Sequence, residues 1–370
     1  MLRPNRDRVA RLAGMSALAC IALLAATRAN ALVIDAGFGS SITAAANAGA
    51  IETAIDTAVN AIGSLYSNPG TVSILFTTGP GGFLGQSNEG LDGVSYSNYT
   101  SLLAADAAAH PANTTLAAAV ANLAYGNDAN GSRPIAATTA LLRVGLGVTG
   151  ATPCFNASGA FVSTCGQAYD GVVTLSSTQT LDDTRPVGSG YDAIRVVEHE
   201  VDEVLGGGGA GSTLNVIAGY GLDNSSRPLT YYDGPLDLYR YSAPLRPSFS
   251  TSSGATAYLS VDGGNTNIVG FNQNPNGDFA DFLSTGCPAR VQDAFTCAGQ
   301  AANETVASPE YQMMQAIGYN PVNEPASLTL LGMAVGGLTL VRHRARRPGS
   351  TSGRCANQRG AFPPLRSVSL

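Results

Sequence analysis

The stretch Tyr191-Asp192-Ala193-Ile194-Arg195-Val196-Val197-Glu198-His199-Glu200-Val201-Asp202-Glu203-Val204-Leu205 reads as a helix, and Gly206 to Gly209 stop it. Ile194, Val197, Val201, Val204 and Leu205 recur at the three- and four-residue intervals that place side chains on one helical stripe. His199 and Glu203 stand one turn apart on another face, with Glu200 alongside. That spacing lets two side chains reach one metal ion while the carboxylate beside the first ligand acts on water. In the H-E-x-x-H form of the pattern the second ligand is an imidazole. Here it is Glu203, and a carboxylate oxygen is an acceptable zinc ligand. The extra negative charge makes a bound water less acidic than it would be between two neutral imidazoles. The competing reading is a solvated acidic helix that happens to carry one histidine.

Upstream of this helix the chain mixes strands and helices. Gly171 to Ser176 and Leu32 to Ile42 read as strands, as does Thr71 to Thr77 between Pro69-Gly70 and Gly79-Pro80. Ala48 to Tyr66 has helical spacing with Asn47 as its N-cap, and Tyr99 to Ala107 and Thr115 to Tyr125 also read as helices. Ala137 to Val148 fits either type. Downstream the chain is rich in loops, with short strands such as Tyr258 to Val261 and a last helix near Glu310 to Ile317. These elements predict an α+β fold with a mixed sheet. An N-terminal lobe (32–206) ends in the site helix, and a loop-rich C-terminal lobe (207–320) follows.

Both ends predict export. Residues 1–31 read as a signal peptide, with Arg3, Arg6, Arg8 and Arg11 before an apolar stretch and Ala29-Asn30-Ala31 as the site for a signal peptidase. Near the other end, Glu324-Pro325-Ala326-Ser327 precedes an apolar run from Leu328 to Val341 and a basic cluster from Arg342 to Arg347. This segment (321–347) resembles the PEP-CTERM sorting signal of Gram-negative bacteria. The resemblance implies a transient inner-membrane anchor, processing by an exosortase-type enzyme, and release to the cell surface or outside the cell. Asn323 stands where that family usually has Pro, and residues 348–370 form a Gly/Ser/Pro/Arg extension that reads as disordered.

Between the two ends, residues 32–323 carry eight arginines against 24 aspartates and glutamates, a formal charge of −16. There is no lysine anywhere in the chain. Such a surface argues against nucleic acid as a partner. In an oxidising compartment, Cys154 with Cys165 and Cys287 with Cys297 read as two local disulfides, since neither spacing suits a zinc site. No glycine loop after a strand suits phosphate, and no serine or cysteine triad assembles around His110.

The third ligand must be an acid, because His110 lies in a Pro/Asn loop and His343 behind the anchor. Asp237, Asp262, Asp278 and Asp281 are the candidates. Asp237-Leu238-Tyr239-Arg240-Tyr241, then Ser260-Val261-Asp262-Gly263-Gly264, then Met314-Gln315-Ala316-Ile317-Gly318-Tyr319 follow one another in an order that resembles exported bacterial zincin-type metalloproteases. In that family a Ser-His-Trp before the last element supplies the third ligand; Ala280-Asp281-Phe282 occupies the matching place. The resemblance therefore implies a zincin-like domain with His199, Glu203 and Asp281 on the metal, Glu200 as general base, and Asp237 and Tyr241 supporting them. A turn or cap role for Asp237 is the plainer alternative. One imidazole and two carboxylates would take zinc, manganese or calcium. The implied activity is metal-dependent cleavage of a protein or peptide substrate outside the cell. The alternative is a zincin-fold surface or exopolysaccharide-matrix protein without catalysis.

Overall fold

Runs of β-branched and aromatic residues between glycine and proline breakers become the central strands of a four-stranded sheet. The computed structural model describes residues 31–123, 133–215 and 232–322. They belong to one compact unit, Thr27–Asn323. The first half holds β1 (Val33–Phe38), α1 (Ser40–Thr43), α2 (Ala48–Gly63), β2 (Thr71–Gly79), β3 (Gly85–Glu89) and β4 (Leu91–Val94). Then come α3 (Tyr96–Ala109), α4 (Thr114–Ala121), β5 (Ile135–Thr138), β6 (Gly171–Ser176), β7 (Leu181–Asp182), β8 (Tyr191–Asp192) and the site helix α5 (Ala193–Val204). The loop-rich remainder carries β9 (Arg240–Ala243), β10 (Arg246–Pro247), β11 (Tyr258–Leu259), β12 (Val269–Gly270) and α6 (Pro309–Ile317). The fold is α+β with a mixed main sheet.

That sheet runs β1-β2-β6-β3, with β1, β2 and β6 parallel and β3 antiparallel at the edge beyond β6. Parallel neighbours need a crossover, and α2 supplies the one between β1 and β2 while packing on both β1 and α5. The second sheet, β10-β9-β11-β12, is antiparallel.

Helix α5 is made by its surroundings. Valine costs roughly 0.5 kcal/mol relative to alanine in a helix. Burying each of Val197, Val201 and Val204, all inaccessible to solvent, returns roughly 1.5–3 kcal/mol, so packing decides. The glycine run ends the helix as a Schellman motif: Gly206, at φ 100°, donates its N–H to the Glu203 carbonyl, and Gly207 donates to that of Asp202. At Gly171 of β6 a Cβ would lie 2.7 Å from a Val204 methyl, so glycine lets the helix end settle on the sheet.

The predicted strand at 171–176 and the helices near 48–66 and 310–317 stand where expected, within a few residues. Ala137–Val148 fitted both patterns because it contains both, β5 followed by a π-helical turn, Leu141–Gly145. Asn47 occupies the N-cap position of α2, but its amide donates to Asp183 (3.1 Å) instead of capping the helix. β3 and β4 went unpredicted because Gly-Gln-Ser-Asn-Glu and Leu-Asp-Gly-Val lack apolar alternation. Both expected disulfides, Cys154–Cys165 and Cys287–Cys297, are present. Among the described residues no helix is long and apolar enough to cross a membrane. Apart from Ala31, Pro321 and Val322, the segments read above as a signal peptide and a sorting signal lie outside the described residues, as do the C-terminal extension and Tyr125.

The acidic residues of α5 do not form a solvated face. Glu198 and Asp202 are fully buried on one flank, against Glu304 and Glu310. Tyr66 donates its hydroxyl to Glu304, and the Glu304 N–H donates to Glu198 (2.9 Å). Among the described residues both oxygens of Asp202, Glu198 Oε1 and Glu304 Oε2 are buried without a donor, and burial favours the protonated form of all three carboxyls. Burial pushes Glu304 up to about 8. An unfolded glutamate titrates near ~4.3, so between these values the folded chain holds a proton that the unfolded chain has lost. Stability is then full below the window and falls as pH rises through it, by at most ~1.4 kcal/mol per pH unit for one group. Urea unfolding at pH 5 and pH 8 should show Glu304→Gln losing less stability over that interval than the wild type. Equal losses would contradict the assignment.

Candidate metal centre

Three side chains from two distant parts of the chain converge beside α5. His199 Nε2 lies 3.8 Å from Glu203 Oε1 and 3.6 Å from Asp281 Oδ2, and one ligand atom from each residue falls within 4.8 Å of the others. Two donors each ~2.1 Å from a tetrahedral ion are ~3.4 Å apart, so the observed spacings already approach those of a filled site. The tautomer is right as well. His199 Nδ1 faces the Val291 carbonyl at 3.0 Å and donates to it, leaving the Nε2 lone pair toward the two carboxylates.

Each ligand is held from behind. Glu203 accepts from Ser87 Oγ of β3 (2.7 Å) and from the Gly209 N–H (3.0 Å). A Cβ on Gly209 would lie 2.5 Å from Glu203 Oε1 and 2.8 Å from Asp278. Gly209, which cannot ligate, thus serves as an amide donor that leaves room for two acids. Asp281 is presented by a loop in which Ala280 and Phe282 are buried and Asn272 donates its N–H to the Asp281 carbonyl (2.8 Å). The buried Arg240 guanidinium clamps the neighbouring carbonyl of Phe279.

Glu200 lies on the same helix against β3. A Cβ on Gly85 would come within 2.5 Å of Glu200 Oε1, so this strand must pass as glycine. Glu200, Glu203, Asp278, Asp281 and Glu89 share one open cavity of about 730 Å³ with His199. Burial, then the charges of Glu203 and Asp281, push Glu200 well above the ordinary carboxylate range. Burial, then Asp281, lifts Glu203 to about 8 while His199 works the other way. Burial, then Asp278, raises Asp281 strongly, and burial raises Asp278. Burial also lifts Glu89 to about 7. Among the described residues no arginine stands within ion-pair distance of Glu200, Glu203 or Asp281. Crowded, desolvated carboxylates facing an imidazole nitrogen are a fit for a divalent cation.

The other predicted residues sit elsewhere. Asp237 accepts from Ser212 Oγ (2.5 Å), Gly234 N (2.8 Å) and Thr213 N (3.2 Å), the turn role, and does not line the cavity. Tyr241 is buried in β9, also off the cavity. Asp262 closes its own turn on Ser260 and Thr266. Asp278 is present but stands by Glu203 and Asn215, outside the ligand trio. Sequence reasoning missed Ser87, Glu89 and Gln292, and no local pattern marks any of them.

No family model, curated protein or solved structure matches the chain.

Filling the centre requires Glu203 to be ionised, so cation uptake should release protons and strengthen as pH rises toward about 8. Calorimetric titration with zinc at pH 6 and pH 8, in buffers of different ionisation enthalpy, should show tighter binding at pH 8 and proton release at pH 6. Binding equally tight at both, with no proton released, would contradict the raised Glu203.

Proposed function

We propose that the protein is an exported, zincin-like metal-dependent endopeptidase. The observation that carries the reading is the convergence of His199 Nε2, Glu203 and Asp281 in an open cavity that Glu200 shares. A divalent cation held there, zinc or manganese, would supply Lewis acidity toward water and a peptide carbonyl. Glu200 would take the proton of the attacking water and pass it to the leaving amine, which suits a carboxyl whose surroundings favour holding a proton.

The substrate class follows from β3. Among the described residues this strand has a sheet neighbour on one side only, and its residues line the same cavity. An extended peptide laid along the free edge would pair its main chain with β3 and bring a peptide bond over the centre. The order of motifs that resembles zincin-type proteases supports the assignment. The signal peptide and sorting segment, with the signal peptidase and exosortase-type enzyme they call for, support export, and two disulfides agree with an oxidising compartment. One observation favours a non-catalytic surface or matrix protein instead: carboxylates stand at two positions where the resembling proteases carry imidazoles.

Digestion of an unfolded protein substrate distinguishes the two. The wild type should be active, inhibited by chelator and restored by zinc or manganese. Glu200→Gln should retain stoichiometric metal while losing activity by ~10²-fold or more. A metal-loaded wild type that cuts nothing, or digestion indifferent to Glu200→Gln, would move the assignment to the non-catalytic reading.

A further inference from the structure

Gln292 is fully buried and its side chain ends against His199 and Asp281 of the candidate centre. Its Nε2 lies 3.1 Å from Asp281 Oδ1 and 3.4 Å from His199 Nε2, so the amide donates into the two groups that would face a cation. Its Oε1 is buried and, among the described residues, has no donor. The backbone around it is fixed. The Gln292 N–H donates to Glu310 (3.0 Å), its carbonyl accepts from Phe282 (2.8 Å), and the preceding carbonyl holds His199. Room for the amide is made by Gly208, at φ 47°, where any Cβ would collide with Nε2.

The amide is therefore placed as a ligand but turned as a donor. The NH2 group is the end that satisfies a lone pair and a carboxylate. With a cation, the same position calls for an oxygen. Rotation about the last bond of a glutamine is soft and roughly two-fold, and it exchanges Oε1 with Nε2 at little steric cost. Among the described residues Oε1 has no donor where it now sits, so turning the group over forfeits no hydrogen bond on that side.

We infer that Gln292 is a fourth ligand of the centre, presenting its amide oxygen once the group has turned over. This rests on the metal-site reading above. The donor set becomes one nitrogen and three oxygens, a set that suits manganese.

The test uses Mn2+ alone, titrated into the chelator-stripped full chain, with X-ray absorption spectra of the loaded protein. The wild type should bind one equivalent. Gln292→Leu should bind about ten-fold more weakly or worse, with one fewer light-atom neighbour. Gln292→Glu, which keeps an oxygen, should bind at least as tightly as the wild type. Should Gln292→Leu fail to fold, Gln292→Asn, whose amide is one methylene too short, is read in the same way. Unchanged affinity and neighbour count in Gln292→Leu, with the wild type binding and His199→Ala not binding, would overturn the inference alone. A wild type that takes up neither Mn2+ nor Zn2+ would overturn the metal-site reading and the inference with it.

Discussion

Burial of α5 on every side is the constraint from which the rest follows. Its apolar stripe is matched by four acids and a histidine, and all the acids are removed from water. An unpaired buried carboxylate costs several kcal/mol, so each must find a proton, a donor or a cation. The two flanks meet this demand differently. On the Glu198–Asp202 side, sealed from solvent, Tyr66, a backbone N–H and protonation serve. On the His199–Glu203 side the wall is open to a cavity, and among the described residues Glu203 and Asp281 take their donors from behind, from Ser87, Gly209 and Gln292. The open side is where a cation can enter and where its charge is most needed.

What could be read from the chain alone divides along the same line. His199, Glu200 and Glu203 are local: a helical repeat places them on one turn, and no tertiary knowledge is needed. Asp281 lies far along the chain, and only the order of distant motifs singled it out from Asp278, three residues away; the structure puts Asp281 on the imidazole and Asp278 beside Glu203. Gln292 carries no signal, because its role comes from a loop packed against α6 through Glu310. β3 was unreadable for a functional reason. Its inner face must accommodate Glu200 and Glu203, so it presents Gly85 and Ser87 where strand periodicity calls for valine. The demands of the site erase the signature of the element that builds it.

The Asp237–Tyr241 segment shows how a motif can matter without touching the chemistry. Asp237 ties Ser212, Thr213 and Gly234 together, and two of these line the cavity. Arg240 reaches the other wall, holding the Phe279 carbonyl between Asp278 and Asp281, with its guanidinium 4.8 Å from the centre of the Phe271 ring. Burial lowers that guanidinium to about 10, still charged at neutral pH, and among the described residues two of its nitrogens have no partner. A charge kept inside at such expense is spent on the position of the loop that delivers Asp281.

The donor set also bears on how the proposed hydrolysis would be balanced. Two carboxylates and one imidazole around a divalent ion leave no net charge, whereas neutral imidazoles leave it positive, so water at the centre is acidified less. The same two carboxylates act on Glu200. With carboxylates around the ion in place of neutral imidazoles, less positive charge would face Glu200, so it would keep a proton more strongly and be the better base. The substitution that weakens the acid partner strengthens the basic one, because a single pair of negative charges faces both. In the proposed hydrolysis, carboxylates in place of imidazoles would shift the division of labour toward Glu200. Calcium fits the geometry least, since its sites are built from oxygens and the lone pair of His199 points straight at the ion's place.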